Sequence, residues 1–561
     1  MKMKPINKGI ALLAITLTIA FESFAQEPTW AWQIDADNSI CTVSFLETDN
    51  DGNTYVVGSF SEFDLTIQEQ TLPMPEGETI AGFMLKVDPN GTLLWMRSFI
   101  SEMIPKDLAI TSDGRLFYAF TITPENPLDV LDIDGVSFTM YSGINGYVYE
   151  FDESGTAIAG HEFQDGSNFF NLSGLSGMVV DSEDNLILTG VFSSSMIING
   201  FQFTNPAAGF TAGFLLKMDA DGAVAWGEEF IPNDQGGGFT FMDVGPENSI
   251  LGYGGWGGDT LFIGDDFFIE SQEEGEFAGG SYSAKFSADG NLMWASYYQN
   301  NLDIGGPSAI TATNDNGAAI YFNGGEFSFE GTPVNGTDGY LVKQNFEGGL
   351  DQVEDISSQG SLTGIKATDD DGFLIQSNFN TETFTIPGTT ITSAEAGFRD
   401  GVIFKLNSDL ETEWFIQVGA EDNDQIVDFE PVDGGYIVIG DYQSAELDFS
   451  GETITNDFSP DADLFIAKLD VSLGLANKNA VELVKVFPNP SADYIQVDLR
   501  DSDTQIDQIS VFDMTGKMVL QENNFSGQLI RIDISTLPQG QYTALLRNDR
   551  LTYVSKFVKL K

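Results

Sequence analysis

The sequence predicts an all-β protein: a seven-bladed β-propeller closed by its own N-terminal strand, followed by a small C-terminal β-sandwich. Three observations carry this reading. A hairpin of the form Phe83 to Phe99 (FMLKVDPNGTLLWMRSF) recurs along the chain at nearly constant spacing. A second, acidic hairpin alternates with it, and the two ends of the array carry complementary half-hairpins. Sixty glycines and 45 phenylalanines suit short strands and tight turns rather than helices.

In the first hairpin, alternating apolar residues run into Lys86 and Asp88, Pro89-Asn90-Gly91 makes the turn, and a second apolar run carries Trp95. Asn-Gly and Asp-Gly supply the positive-φ residues that a tight turn needs. Lys217, Asp219, Asp221-Gly222 and Trp226 repeat the pattern, as do Lys285, Asp289-Gly290 and Trp294; Lys405, Asn407 and Trp414 form a copy without the glycine. Degenerate copies lie at Glu150, Lys343 and Lys468. Aligned on the lysine, the copies fall at 86, 150, 217, 285, 343, 405 and 468, in steps of 58 to 68 residues. A regular period of this kind marks repeated supersecondary units.

The second hairpin follows each tryptophan arm. It is a strand, an acidic or Asn-Gly turn, and a β-rich strand, as at Asp51-Gly52, Asp113-Gly114, Asp184-Asn185, Glu247-Asn248, Asn316-Gly317, Asp371-Gly372 and Gly434-Gly435. Two hairpins make four strands, one propeller blade, and there are seven such pairs; six or eight blades would require a degenerate copy to be miscounted. Trp30-Ala31-Trp32-Gln33-Ile34 is a tryptophan arm with no lysine arm before it, and Lys468-Leu469-Asp470 is a lysine arm with no tryptophan arm after it. Joining them closes the ring and removes the exposed edges of an open array. The repeat exceeds the roughly 40–50 residues usual for a blade. The excess falls between the second and third strands, as at 61–81 and 193–212, and is expected to form ribbons or loops gathered on one face, where function usually sits.

Residues 1–25 read as a secretory signal peptide: Lys2, Lys4 and Lys8, an apolar segment from Gly9 to Phe21 too short to span a membrane, and a small-x-small cleavage site ending at Ala25. No other stretch predicts a transmembrane segment. The single cysteine, Cys41, forms no internal disulfide and reads as a buried strand residue, so stability must come from core size and closure. From 26 to 480 there are 12 basic and 74 acidic residues, a net of −62; from 481 to 561 there are 9 and 10, a net of −1. The first value argues against nucleic acid and anionic membranes as partners. The shift between them marks a domain boundary. The expected organisation is signal peptide 1–25, propeller 26–470, linker 471–485 and tail domain 486–561.

The Gly-Phe-x-x-Lys-x-Asp-x-x-Gly-x-x-x-Trp pattern resembles bacterial β-propeller repeats of secreted surface proteins, over about residues 30–470. It also resembles the Asp-box hairpin of sialidase propellers, but its glycine-to-tryptophan spacing differs, so no sialidase activity is carried over. The tail resembles the type A C-terminal sorting domain of the type IX secretion system. The matching residues are Val486-Phe487-Pro488-Asn489-Pro490, Asp493 to Val497, Val511 to Gly516-Lys517, Leu537-Pro538-Gln539-Gly540-Gln541-Tyr542, and the closing Lys556, Lys559 and Lys561. That resemblance implies a small β-sandwich, delivery to the outer-membrane translocon, cleavage by a sortase-like peptidase, and a mature protein that is surface-attached or released.

Candidate chemistry is sparse. His161 is the only histidine, which argues against a Ser-His-Asp triad and a multi-histidine metal site. Six of the 12 basic residues of 26–480 occupy the repeat lysine position, which points to a structural role with each ammonium near turn carboxylates; a ring of ligand-binding lysines is the alternative. Tyr253 and Trp256, in the glycine-rich segment 251–259, are candidates for stacking on a sugar ring, against the plainer reading of a bulged strand. Asp49, Asp51, Asp369 and Asp371 are candidate calcium ligands, since close Asp residues can supply several oxygens; calcium is the one cofactor considered. The preferred reading is a non-enzymatic surface module that binds a glycan or a surface protein. The alternatives are a carboxylate-based glycoside-processing enzyme and a structural surface component.

Overall fold

The computed structural model describes residues 28–470 and 486–560, apart from short segments inside each span. The predicted signal peptide at 1–25 and linker at 471–485 lie outside the described residues. Residues 28–470 form seven four-stranded antiparallel blades. The first is Cys41–Thr48, Thr54–Ser61, Ile80–Val87 and Leu93–Phe99, paired in that order. Five more follow over 104–165, 174–232, 236–300, 307–357 and 361–418. The seventh combines Asp424–Val432, Gly435–Tyr442 and Asp463–Asp470 with the N-terminal strand Pro28–Asp35 as its outermost member.

The closure expected from the two half-hairpins is present. Trp30 lies directly opposite Lys468, and Ala31, Trp32, Gln33 and Ile34 oppose Ala467, Ile466, Phe465 and Leu464. The Lys–Trp pairing is the one found inside complete blades: Lys86 with Trp95, Lys217 with Trp226, Lys285 with Trp294 and Lys405 with Trp414. Ile34 is fully buried in a core shared by the first and seventh blades, so the seal is hydrophobic as well as hydrogen-bonded. Burying one such side chain is worth roughly 1.5–3 kcal/mol.

The innermost strand of each blade touches that of the next around the ring, and 424–432 returns to touch 41–48. All seven innermost strands carry a β-bulge near their start, between Val43 and Phe45, Pro105 and Asp107, Leu175 and Gly177, Phe239 and Phe241, Pro307 and Ala309, Leu362 and Gly364, and Ile426 and Asp428. A bulge adds local twist. Here it re-aims one polar side chain per strand, with consequences for the central channel.

The inserts between second and third strands do not gather as loops on one face. They form two-stranded ribbons at the outer rim, and most reach the preceding blade. Leu65–Ile67 pairs with the N-terminal strand, Ser195–Ile198 with Ala157–Asp165, and Thr260–Ile263 with Val224–Pro232. The tip of the long hairpin 318–344 does the same with Leu292–Asn300. Each blade's outermost strand would otherwise present an unpaired edge, and the ribbons cover part of it.

In the tail, Val486–Phe487, Tyr494–Asp498 and Leu529–Asp533 form one sheet, and Gln508–Phe512, Met518–Asn523, Gly540–Arg547 and Thr552–Lys559 a second. Ile495, Val497 and Ile532 from the first share one core with Ile509, Val511 and Ala544 from the second.

Candidate functional site

Polar chemistry in this ring concentrates at the blade junctions, so these are built up first. Each tryptophan of the repeat lies against the hairpin turn of the following blade. Trp30 covers Gly91, Trp95 covers Gly155, Trp226 covers Gly290 and Trp294 covers Gly348. Those glycines have φ between +77° and +82°, and a Cβ on any of them would sit within 3 Å of the indole, so both backbone shape and the neighbouring ring demand glycine. Three indoles also donate from Nε1 to a turn carbonyl: Trp30 to Pro89 at 3.1 Å, Trp95 to Glu153 at 2.8 Å and Trp226 to Ala288 at 3.0 Å. The lysine opposite each tryptophan reaches an acidic or amide turn. Lys86 lies 3.5 Å from Asp49, Lys217 lies 2.7 Å from Asp181, Lys405 binds Asp370 and Glu413, and Lys285 donates to the Asn316 carbonyl of the next blade at 2.5 Å. These lysines brace turns, in their own blade or the next.

Two departures show how tightly the junction is specified. The second blade has Glu150 in place of lysine, and Arg115 supplies the missing cation. Its guanidinium bonds both Glu150 oxygens, at 2.6 and 2.9 Å, and donates to the Ala220 carbonyl, the turn position that an indole contacts elsewhere. His161 fills the tryptophan space against Gly222. Burial lowers its pKa, so it is a neutral packing residue in the manner expected of a strand histidine. The fifth blade has Gln352 opposite Lys343. With no indole to accommodate, the following turn carries Leu410 at φ +60° where the others have glycine.

The sequence-predicted site residues are not brought together. Tyr253 and Trp256 are only 3% and 6% exposed and pack inside blade cores, Tyr253 against Tyr298 and Phe322, Trp256 against Tyr282 and Tyr297. The surrounding glycines do not free these rings. They admit close neighbours: a Cβ on Gly252 would strike the Phe239 ring, and one on Gly254 the Gly238 carbonyl. Neither ring offers a face to a sugar, which corrects that expectation. Asp49 caps its own turn, accepting from the Asp51 and Asn53 N–H groups, the Asn53 amide and the Tyr55 hydroxyl. Asp371 accepts from Asn314 of the preceding blade. Among the described residues no three His, Cys, Asp or Glu side chains are grouped to hold a metal, so Asp49, Asp51, Asp369 and Asp371 act as turn residues. In the tail, Tyr542 is buried and its hydroxyl donates to the Pro538 carbonyl at 2.8 Å, on the strand that Gly540 opens. Pro488, Asn489, Pro490, Gly516 and Lys517 lie outside the described residues.

The bulged innermost strands place acids around the axis. Asp107 accepts the N–H groups of Leu108 and, across the junction, Met178; Asp428 accepts those of Phe429 and Leu46; Asp243 accepts those of Val244 and Ala312. They clip neighbouring blades together. Burial outweighs these bonds and pushes Asp107 up to about 7 and Asp428 to about 6. Burial likewise pushes Glu47 well up, with Glu430 adding to the effect. Lys366 pairs with Glu430. Burial alone would lower its pKa, but Glu430, Asp428 and Glu47 together raise it. No sequence period marked these positions, because each innermost strand holds its polar residue at a different step after the bulge.

A cavity of about 640 Å³ opens at the outer rim, between the third and fourth blades. Its floor is the outermost strand of the third blade at Gly227-Glu228-Glu229. One wall is that blade's own ribbon, with Phe201 and Gln202; the other is the fourth blade's ribbon, with Gly264 and Phe267; the end is the turn Gly290-Asn291. Glu229 accepts the Thr204 N–H at 2.6 Å and its carbonyl accepts the Gly264 N–H at 2.9 Å, which fixes both ribbons to the floor. Phe267 and the neighbouring Phe262 and Phe268 are exposed. Nothing in the repeat pattern announced this cavity, since it depends on what one ribbon turn lacks.

With this geometry in hand, the comparisons with known proteins can be placed. Residues 485–560 match the family of the secretion system C-terminal sorting domain. None of the curated proteins is detectably similar to the chain in sequence. Among solved structures, a protein of unknown function from Bacteroides caccae is 8% identical, over 60% of this chain and 89% of that one, with a TM-score of 0.30. A member of the DUF4221 family from Bacteroides vulgatus is 9% identical, over 78% and 95%, with a TM-score of 0.26. An extracellular domain assigned to a hybrid two component system of B. thetaiotaomicron is 9% identical, over 96% and 100%, with a TM-score of 0.17. At such TM-scores these likenesses carry no argument. The protein is thus an exported seven-bladed β-propeller bearing a type IX sorting tail, destined for secretion or the cell surface. Among the described residues no helix is long and apolar enough to cross a membrane.

Proposed function

We propose that the protein is an extracellular binding module, delivered by the type IX translocon and its sortase-like peptidase, that holds its ligand in the rim cavity between the third and fourth blades. The observation that carries this reading is the cavity itself. It has the volume of a ligand site. Its walls combine the Phe201 and Phe267 rings with the carboxylates of Glu228 and Glu229 and the amide of Gln202, and its floor is a strand of a rigid closed ring. The buried acids of the channel, by contrast, are occupied as clips between blades, which favours binding over carboxylate-based glycoside processing.

The test is a binding screen of the full chain against peptide and glycan panels, repeated with Gly264→Asn, which fills the cavity. A ligand held by the parent and lost by the variant is the expected result. Hydrolysis of any glycan, or binding unchanged in the variant, would defeat the proposal.

A further inference from the structure

The rim cavity exists because one junction lacks a plug that the protein supplies at others. At the first blade the ribbon turn carries Gln68 at φ +46°. Its carboxamide makes two bonds to the hairpin turn beneath: Nε2 donates to the Gly91 carbonyl at 2.6 Å and Oε1 accepts the Leu93 N–H at 3.0 Å. At the third blade the same ribbon position is Asn199, φ +48°, whose Nδ2 donates to the Gly222 carbonyl at 2.8 Å. At the second it is Asp134, φ +53°, which accepts the Ala157 N–H at 2.8 Å while Arg97 donates to the Gly155 carbonyl. At the fifth, Ser296 donates to the Gly348 carbonyl at 2.9 Å.

At the fourth blade the ribbon position is Gly264, φ +59°. It has no side chain to extend, and the strand residue beside it, Glu228, is a carboxylate that cannot donate when ionised. Among the described residues no side chain donates to the Gly290 carbonyl and none accepts the Leu292 N–H, the counterparts of the Gly91 carbonyl and the Leu93 N–H. Gly290 and Leu292 both line the cavity.

We propose that this cavity is a receptor for a primary carboxamide: the side chain of a glutamine or asparagine carried by a basic peptide. This rests on the rim-cavity reading above and deepens it. The Gln68 clasp defines the recognised group. A carbonyl acceptor and an N–H donor two residues apart on one turn face a ligand that offers an N–H and a C=O on the same side. A primary carboxamide has both on one edge; the trans secondary amide of an N-acetyl sugar points them in opposite directions. Glu228 and Glu229 in the lining, on a chain of net charge −61, select a cationic carrier for that side chain.

The experiment is calorimetric titration of the full chain with the free-acid tripeptide Lys-Gln-Lys, against Lys-Glu-Lys and chitobiose. A second titration uses the Gly264→Asn variant. The left-handed backbone at this position already carries Gln68, Asp134 and Asn199 elsewhere, and a Cβ at 264 meets only the far end of the Glu228 side chain, so the variant folds and plugs the site. Lys-Gln-Lys is expected to bind at least roughly tenfold more tightly than either control and to lose roughly tenfold in the variant, whose unfolding midpoint stays level or rises. Equal affinity for Lys-Gln-Lys and Lys-Glu-Lys, preferential binding of chitobiose, or no measurable heat with Lys-Gln-Lys would overturn the carboxamide assignment. Some other ligand lost from Gly264→Asn would at the same time uphold the cavity as the binding site; binding indifferent to that substitution would overturn both.

Discussion

The Lys217–Asp181 pair offers the sharpest test of how the ring is held. Its N–O distance is 2.7 Å and its side chains are 7% and 0% exposed. Deleting one partner of a buried pair typically costs about 3–5 kcal/mol, because the other charge is left uncompensated. The two deletions are not equivalent here. In Lys217→Met, Asp181 keeps the N–H groups of Glu183 and Asn185 and the Asn185 amide, so the cost should fall near the lower end, about 3 kcal/mol. In Asp181→Asn, Lys217 keeps only the Ala288 carbonyl at 3.2 Å, so the cost should approach about 5 kcal/mol. The double variant should cost less than the sum, with a coupling of roughly 2 kcal/mol.

At about 2 cal/mol/K per residue, the unfolding entropy of a propeller this size is near 0.9 kcal/mol/K, so 3 kcal/mol lowers the midpoint by only about 3 °C. Denaturant titration is therefore the better assay, and the loss should resist added salt because the pair is buried. Asp181 is held below its ordinary pKa; desolvation opposes this, but Lys217 and the turn N–H groups prevail. A depressed carboxylate adds stability above its unfolded pKa and loses it as pH falls through the folded value, so the three variants should converge with the parent in acid. A Lys217→Met protein within 0.5 kcal/mol of the parent, or purely additive costs, would refute the view that these lysines brace the turns.

Ile34→Ala should cost about 2–5 kcal/mol by denaturant titration, since the side chain is fully buried in the core that joins the ring's ends; removal of residues 28–35 should abolish cooperative unfolding of the seventh blade. Glu150→Gln should cost roughly 2 kcal/mol through the weakened Arg115 fork, while Glu150→Gln with Arg115→Met should cost less than the sum of the two singles. Asp107 and Asp428 have folded pKa values raised to about 7 and about 6. The folded state therefore binds more protons than the unfolded state between about pH 4 and 7, and stability should fall as pH rises through that window. Thermal midpoints at pH 5 and pH 8 measure it, and Asp107→Asn should narrow the gap.

How much of this could be read beforehand depends on what repeats. The blade count and the closure were visible because Trp30 and Lys468 are halves of a pattern seen whole elsewhere, and the structure pairs them residue for residue. The lysines' turn partners followed from their recurrence in an acidic chain. The misplaced expectations concern features without a period. Glycines around Tyr253 and Trp256 looked like freedom for the rings but are clearance for Phe239 and the Gly238 carbonyl. The inserts looked like surface loops because a ribbon's docking strand lies in the preceding blade, more than 20 residues away in sequence. The rim cavity was invisible because it arises from an omission at Gly264, legible only beside Gln68 and Asn199 in three dimensions.

The placement of the N-terminal strand also sets an order of events. Its partner, Asp463–Asp470, is the last propeller strand made, so the first strand must wait more than 420 residues for its mate. Until then six blades stand as an open arc with one raw edge at each end, and loop closure over such a length is slow. The sorting tail emerges directly behind the strand that completes the circle. A chain that displays a finished address has therefore already made everything needed to lock, and presentation of the tag to the export machinery reports, by position alone, that the cargo is whole.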